Sequence, residues 1–137
     1  MKQSAEQRRL IRLAFAINKK ARRLGTPGKV SAEDLALIIM SNPNCHYCGI
    51  GLEQGHGTFD HVVPFDRKGT NTPDNIVRCC LTCNREKYTK SPEELADFRS
   101  KVFRCANCNR EFRPRYADWR NGNGRLCSRA CSASSRW

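Results

Sequence analysis

The first stretch of the chain repeats its apolar residues at helical spacing. Leu10, Leu13, Ala14, Ile17, Ala21 and Leu24 fall within one arc of a helical wheel, and Arg8, Arg9, Arg12, Lys19, Lys20 and Arg23 within the opposite arc. An amphipathic helix is expected over residues 3–24, stopped by Gly25, with Pro27 and Gly28 extending the break. A second helix should begin at Ser31. Ser-Ala-Glu-Asp resembles a capping box, Val30 can staple to Leu35, and Leu35, Ile38 and Ile39 form an apolar stripe before Asn42-Pro43 ends it. Residues 58–87 read as strand, loop, strand, helix, with the loop over 65–73 and the second strand over 75–79. Ser91-Pro92-Glu93-Glu94 opens a further helix, with an N-cap Ser and Pro at the first helical position, which continues through Leu95, Ala96 and Phe98.

Length and charge narrow what these elements can do. With 137 residues, the chain makes one domain or a few small modules that need staples to be stable. Its longest apolar run, six residues from Leu35 to Met40, is far short of the ~20 needed to span a bilayer. Arg8, Arg9 and Arg12 break the apolar stretch that a secretory signal would need. A cytoplasmic protein is therefore expected, in which nine Cys serve metal binding in preference to disulfides. The net charge of +12 is unevenly spread: +8 over residues 1–30, −3 over 31–100 and +7 over 101–137. Two basic flanks around an acidic centre point to a polyanion, most simply double-stranded DNA, and not to a membrane. The plainer alternative is that Lys and Arg serve solubility.

Eight of the nine cysteines pair off. Cys45-x2-Cys48 and Cys80-x2-Cys83 make one quartet, and Cys105-x2-Cys108 and Cys127-x3-Cys131 a second. Each short spacing supplies two thiolates from one turn, and two pairs complete a tetrahedral structural zinc site. The i, i+4 spacing of Cys127 and Cys131 suits one face of a helical turn. Cys79 is left over; as the strand neighbour of Cys80 it should point to the other face, as a small buried hydrophobe.

Between the first two pairs lie the parts that phosphodiester hydrolysis requires. His61 is a base that can be neutral near pH 7. Asp60 and Asn84 offer the oxygen ligands that a hard cation such as Mg2+ prefers. Because Asp60 and His61 are consecutive, a regular strand would turn them apart, so a bend or bulge is expected there. The pattern Cys-x2-Cys, Asp60-His61-x-x-Pro64, Asn75, Cys80-x2-Cys83-Asn84-x-x-Lys87 resembles the HNH endonucleases, or ββα-metal (His-Me finger) nucleases, over residues 45 to about 98. The resemblance implies an α+β fold with a zinc-stabilised ββα-metal core. It further implies His61 as general base, Asp60 and Asn84 on a catalytic Mg2+ or Mn2+, Asn75 bracing the loop that orients His61, and products with 3′-hydroxyl and 5′-phosphate ends. Asn84 stands where many members have His, making this an HNN variant.

Residues 104–137 resemble the small zinc fingers found beside nuclease cores. Phe112, Tyr116 and Trp119 suit the core of so small a module. Arg113, Arg115, Arg120 and Arg129 can reach DNA, as can Arg8, Arg12, Lys19 and Arg23 of the first helix and Arg67 and Lys68 of the loop. The expected organisation is a basic helix (1–30), an HNH core (31–103) and a zinc finger (104–137), acting together as a metal-dependent DNA endonuclease with two structural Zn2+. The competing readings are a non-catalytic zinc protein that binds nucleic acid, and a nuclease directed at RNA or branched DNA.

Overall fold

The computed structural model describes residues 3–53, 56–115, 118–119 and 121–134. The chain forms two compact units, Met1–Pro92 and Glu93–Trp137.

In the first unit, helix α1 (Ala5–Arg23) starts at a capping box: Ser4 accepts from the Gln7 amide, and the Gln7 side chain accepts from the Ser4 amide. Helix α2 (Ala32–Ser41) starts the same way at Ser31, with Asp34 as the returning partner. The apolar stripes of both helices meet in one core of Leu10, Ala14, Val30, Leu35 and Ile76, with Ile17 and Phe59 packed against it. Leu35 is fully buried, which stabilises the fold by about 2 kcal/mol relative to exposure. Leu24, placed on the apolar arc by its spacing, is exposed. It is the C-cap residue and has left the helical path.

Strand β1 (Thr58–His61) pairs antiparallel with β2 (Ile76–Cys79), and α3 (Leu81–Lys87) follows. Two 3-10 turns, Phe65–Arg67 and Pro73–Asn75, punctuate the intervening loop, so Asn75 precedes the second strand instead of opening it. The register runs unbroken from Thr58 opposite Cys79 to His61 opposite Ile76. No bulge interrupts it: His61 is the last residue of its strand and the bend comes after it, at residues 62–63. Alternation binds only inside a strand, so the terminal residue escapes it.

The second unit is built on helix α4 (Pro92–Ser100) and a short ladder, β3 (Phe103–Arg104) with β4 (Glu111–Phe112). Phe98 is buried, with ring centroids 5.5 Å from Phe103 and 5.6 Å from Trp119. The compact units divide at Pro92–Glu93, where the sequence suggests divisions at 30 and 103–104; Phe98 of α4 packs on Phe103 and Trp119, and α1 shares its core with α2. Tyr116, a proposed part of that aromatic core, lies outside the described residues. A last helix spans Arg129–Ser134, so Cys127 precedes it and only Cys131 lies within it. Ser128 makes the turn, its hydroxyl accepting from the Cys131 amide. Among the described residues, no helix is long and apolar enough to cross a membrane.

Candidate active site

Both cysteine quartets assemble. The sulfurs of Cys45, Cys48, Cys80 and Cys83, and those of Cys105, Cys108, Cys127 and Cys131, lie within 4.8 Å of one another in each cluster. Four thiolates 2.3 Å from one Zn2+ would sit about 3.8 Å apart. The sulfurs of Cys48 and Cys80 are 3.9 Å apart, and those of Cys127 and Cys131 3.6 Å. Either cluster can hold zinc. Burial pushes the Cys45 thiol up, but the amides of Cys80, Cys48 and Tyr47 outweigh it and bring it down to about 6 from the ordinary 9.0. The Cys108 amide leads a similar set that lowers Cys105 to about 6. Cys79 belongs to neither quartet; it is fully buried, and burial raises its thiol to about 12.

The first quartet links the knuckle at residues 45–48 to the start of α3, fixing α3 across β1. Asn84 then faces the strand. Its amide nitrogen donates to the Thr58 hydroxyl and the Phe59 carbonyl, each at 3.3 Å. The knuckle itself depends on β2. Arg78 is buried, and its guanidinium donates to the carbonyls of Glu53 and His56 at 2.7 Å and of Asn42 at 3.4 Å.

Asp60, His61 and Asn84 line one cleft of about 280 Å³, with Phe65, Tyr88 and, from α1, Ile17 and Lys20. Asp60 is clamped. One of its carboxylate oxygens accepts from Tyr47 at 2.6 Å and from the Lys87 ammonium at 2.9 Å. Lys87 is fully buried and also donates to the His61 carbonyl at 2.7 Å. It therefore ties Asp60 to His61. Burial, reinforced by the hydrogen bond to Asp60, pushes the Tyr47 phenol up.

His61 is half-buried against Phe65, with ring centroids 4.2 Å apart. Burial lowers its imidazole from the ordinary 6.5, and Lys20 and Lys87 add to that; the Asn71 hydrogen bond and Asp60 oppose it. The balance favours the neutral ring. Asn75 holds the following loop by three backbone contacts: it accepts from the Val63 amide at 2.9 Å and donates to the carbonyls of Val63 at 3.0 Å and Thr70 at 2.8 Å. The loop then folds back so closely that a Cβ on Gly69 would lie 1.8 Å from the Val63 carbonyl oxygen, and only glycine fits there.

Sequence reasoning placed His61, Asp60, Asn84 and Asn75 in one neighbourhood, and the structure brings them together. It assigned no site role to Tyr47 or Asn71, and placed Lys20 on the basic arc of the first helix and not in the cleft. Lys87 was part of the motif, three residues after Asn84 and on the same face of α3. That spacing was the available signal for its partnership with Asp60. The basic residues differ among themselves. Arg8, Arg12, Lys19, Arg23 and Lys68 are exposed, as is Arg129. Arg67 donates through Nε to the Thr89 carbonyl and so braces its own loop. Arg113 donates to the Arg99 carbonyl and Arg115 pairs with Asp118. Arg120 lies outside the described residues.

Residues 45–90 match the family model described as HNH endonuclease. A CRISPR-associated endonuclease, Cas9, of Corynebacterium diphtheriae is 34% identical to this chain over 85 residues, covering 59% of the chain and 8% of that protein. The likeness is thus to one small part of a far larger enzyme. The segment 45–90, with its ββα core and cysteine-tied knuckle, is a domain of the HNH endonuclease family.

Proposed function

We propose that this protein is a divalent-metal-dependent DNA endonuclease in which His61 is the general base. The observation that carries this reading is the meeting of Asp60, His61 and Asn84 in one cleft of an HNH domain. The donor set suits a hard cation. Lys87 and Tyr47 engage one oxygen of Asp60, and the Asn84 nitrogen is spent on Thr58 and Phe59. One carboxylate oxygen and one amide oxygen carry no hydrogen bond among the described residues. Asp60 and Asn84 would hold Mg2+ or Mn2+, which supplies electrostatic stabilisation of charge at the scissile phosphate. His61, whose burial favours the neutral ring, takes a proton from the attacking water. Asn75 fixes the loop beyond His61, and Lys87 fixes the backbone carbonyl at His61 itself.

The two units divide the work. Residues 1–92 cut, and the exposed Arg8, Arg12, Lys19 and Arg23 of α1 with Lys68 grip phosphates. Residues 93–137 form a zinc module whose Arg129, Arg113 and Arg115 add further phosphate contacts. The test is cleavage of plasmid DNA with Mg2+ or Mn2+. Wild-type activity with loss of at least a hundredfold in His61→Ala is expected. Equal cleavage by His61→Ala would overturn the assignment of the base, and binding without cleavage in any divalent metal would favour a non-catalytic protein.

A further inference from the structure

A helix that sequence reasoning treats only as a grip on phosphate reaches the reacting imidazole through two side-chain amides. Asn18, on the inner side of α1, accepts from the backbone amide of Val30 at 3.0 Å and donates to the Val30 carbonyl at 2.8 Å. A backbone N–H can only donate and a carbonyl can only accept, so the Asn18 amide has one permitted orientation. Its oxygen also faces the Asn71 side-chain nitrogen, at 2.9 Å.

That contact fixes Asn71 in turn. Asn71 is fully buried, and its side-chain nitrogen reaches the Gly28 carbonyl at 3.4 Å as well as Asn18. Flipping the amide would set its oxygen against two acceptors. The backbone holds it too: the Asn71 amide donates to the Pro27 carbonyl at 2.8 Å. Gly28, at φ +103°, allows this approach, since a Cβ there would lie 2.6 Å from the Asn71 carbonyl oxygen. The Asn71 side-chain oxygen is therefore the atom presented to His61, 3.0 Å from Nε2. An oxygen acceptor there requires Nε2 to carry the proton, which leaves the Nδ1 lone pair as the only ring site able to take one.

We propose that Asn18 is a positioning residue of the nuclease centre, holding Asn71 so that His61 keeps its proton on Nε2 and presents Nδ1 to water. The proposal rests on the reading of His61 as general base. It makes α1 part of the catalytic apparatus, 43 positions before the residue it orients.

The test uses the full zinc-loaded chain with 15N-labelled histidine, reading both imidazole nitrogens of His61 by NMR, with the resonance assigned by its loss in His61→Ala. The wild type should show Nε2–H with an unprotonated Nδ1. Asn18→Leu should move His61 toward a mixture of tautomers and lower kcat by about 10- to 100-fold with KM unchanged. Asn18→Asp keeps an acceptor for Asn71 and should retain the wild-type tautomer and most of the rate. A wild-type His61 protonated on Nδ1 overturns the proposal even if Asn18→Leu fails to fold. So does an Asn18→Leu protein with unchanged nitrogen shifts and kcat, or an Asn18→Asp protein that loses the Nε2–H tautomer. The spectra need no DNA, so failure of the wild type to cleave would defeat the nuclease reading alone, while normal cleavage with the wrong tautomer would defeat this inference alone.

Discussion

Lys87→Met removes a buried ammonium and leaves its two partners in place. Asp60 would remain 12% exposed with only the Tyr47 hydroxyl on its carboxylate, and the His61 carbonyl would lose its donor. Breaking one side of such a pair costs about 3–5 kcal/mol, because the abandoned charge stays out of water. A small domain has only about 5–15 kcal/mol in total. At a urea slope of about 1–3 kcal/mol per molar, the unfolding midpoint of the first unit should fall by roughly 2 M. Far-UV circular dichroism follows that unit through α1, α2 and α3, and tryptophan fluorescence provides an internal control. Both tryptophans, Trp119 and Trp137, belong to residues 93–137, so the fluorescence transition should not move. The double variant Asp60→Leu/Lys87→Met removes the stranded charge together with the ammonium and should recover much of the loss. A loss below about 1 kcal/mol in Lys87→Met, or a double variant no more stable than Lys87→Met, would refute the idea that the pair acts as a buried electrostatic clamp.

The remaining expectations concern pH and zinc. Burial holds the His61 imidazole below 6.5, so the base-competent neutral form persists as pH falls to that value and is lost as pH drops through the lowered one. The acid limb of a kcat/KM profile should accordingly lie below pH 6.5, and a limb centred above it would contradict the burial described for the ring. Cys80→Ser should unfold the first unit, because it removes one of the four sulfurs of the quartet that joins the knuckle to α3. Cys127→Ser should weaken DNA binding and alter tryptophan fluorescence while leaving the far-UV transition of residues 1–92 in place. A Cys127→Ser protein that loses all cooperative folding would show that the two units are not separable.

The ββα core was legible because its constraints are short in sequence. The cysteine pairs, the Asp60-His61 dipeptide and Asn84 beside Cys83 each announce a position within a few residues. The helices were legible for a similar reason, since Ser31 and Ser91 signal their starts locally. Asn18 and Asn71 were not, because 53 residues separate them; Asn18 is one polar residue within an amphipathic helix, and an Asn in a polar loop such as Asn71 looks like any turn residue until its partner is known. The side to which α4 belongs was not legible, because Phe98 continues an apolar stripe that reads identically whichever unit it packs into. Of the bend or bulge expected at Asp60-His61, the structure has the bend, one residue later at 62–63, because the end of a strand is already free to turn.

Arg78 has a consequence for how freely this protein can change. The segment that it ties down, through the carbonyls of Asn42, Glu53 and His56, contains little regular structure among its described residues. The guanidinium grips backbone oxygens, and every amino acid carries one. Side chains at those three positions can therefore drift without loosening the knuckle, whereas replacing the single Arg78 would release all three anchor points at once. Sequence variation should accumulate at positions 42, 53 and 56 and be purged from position 78.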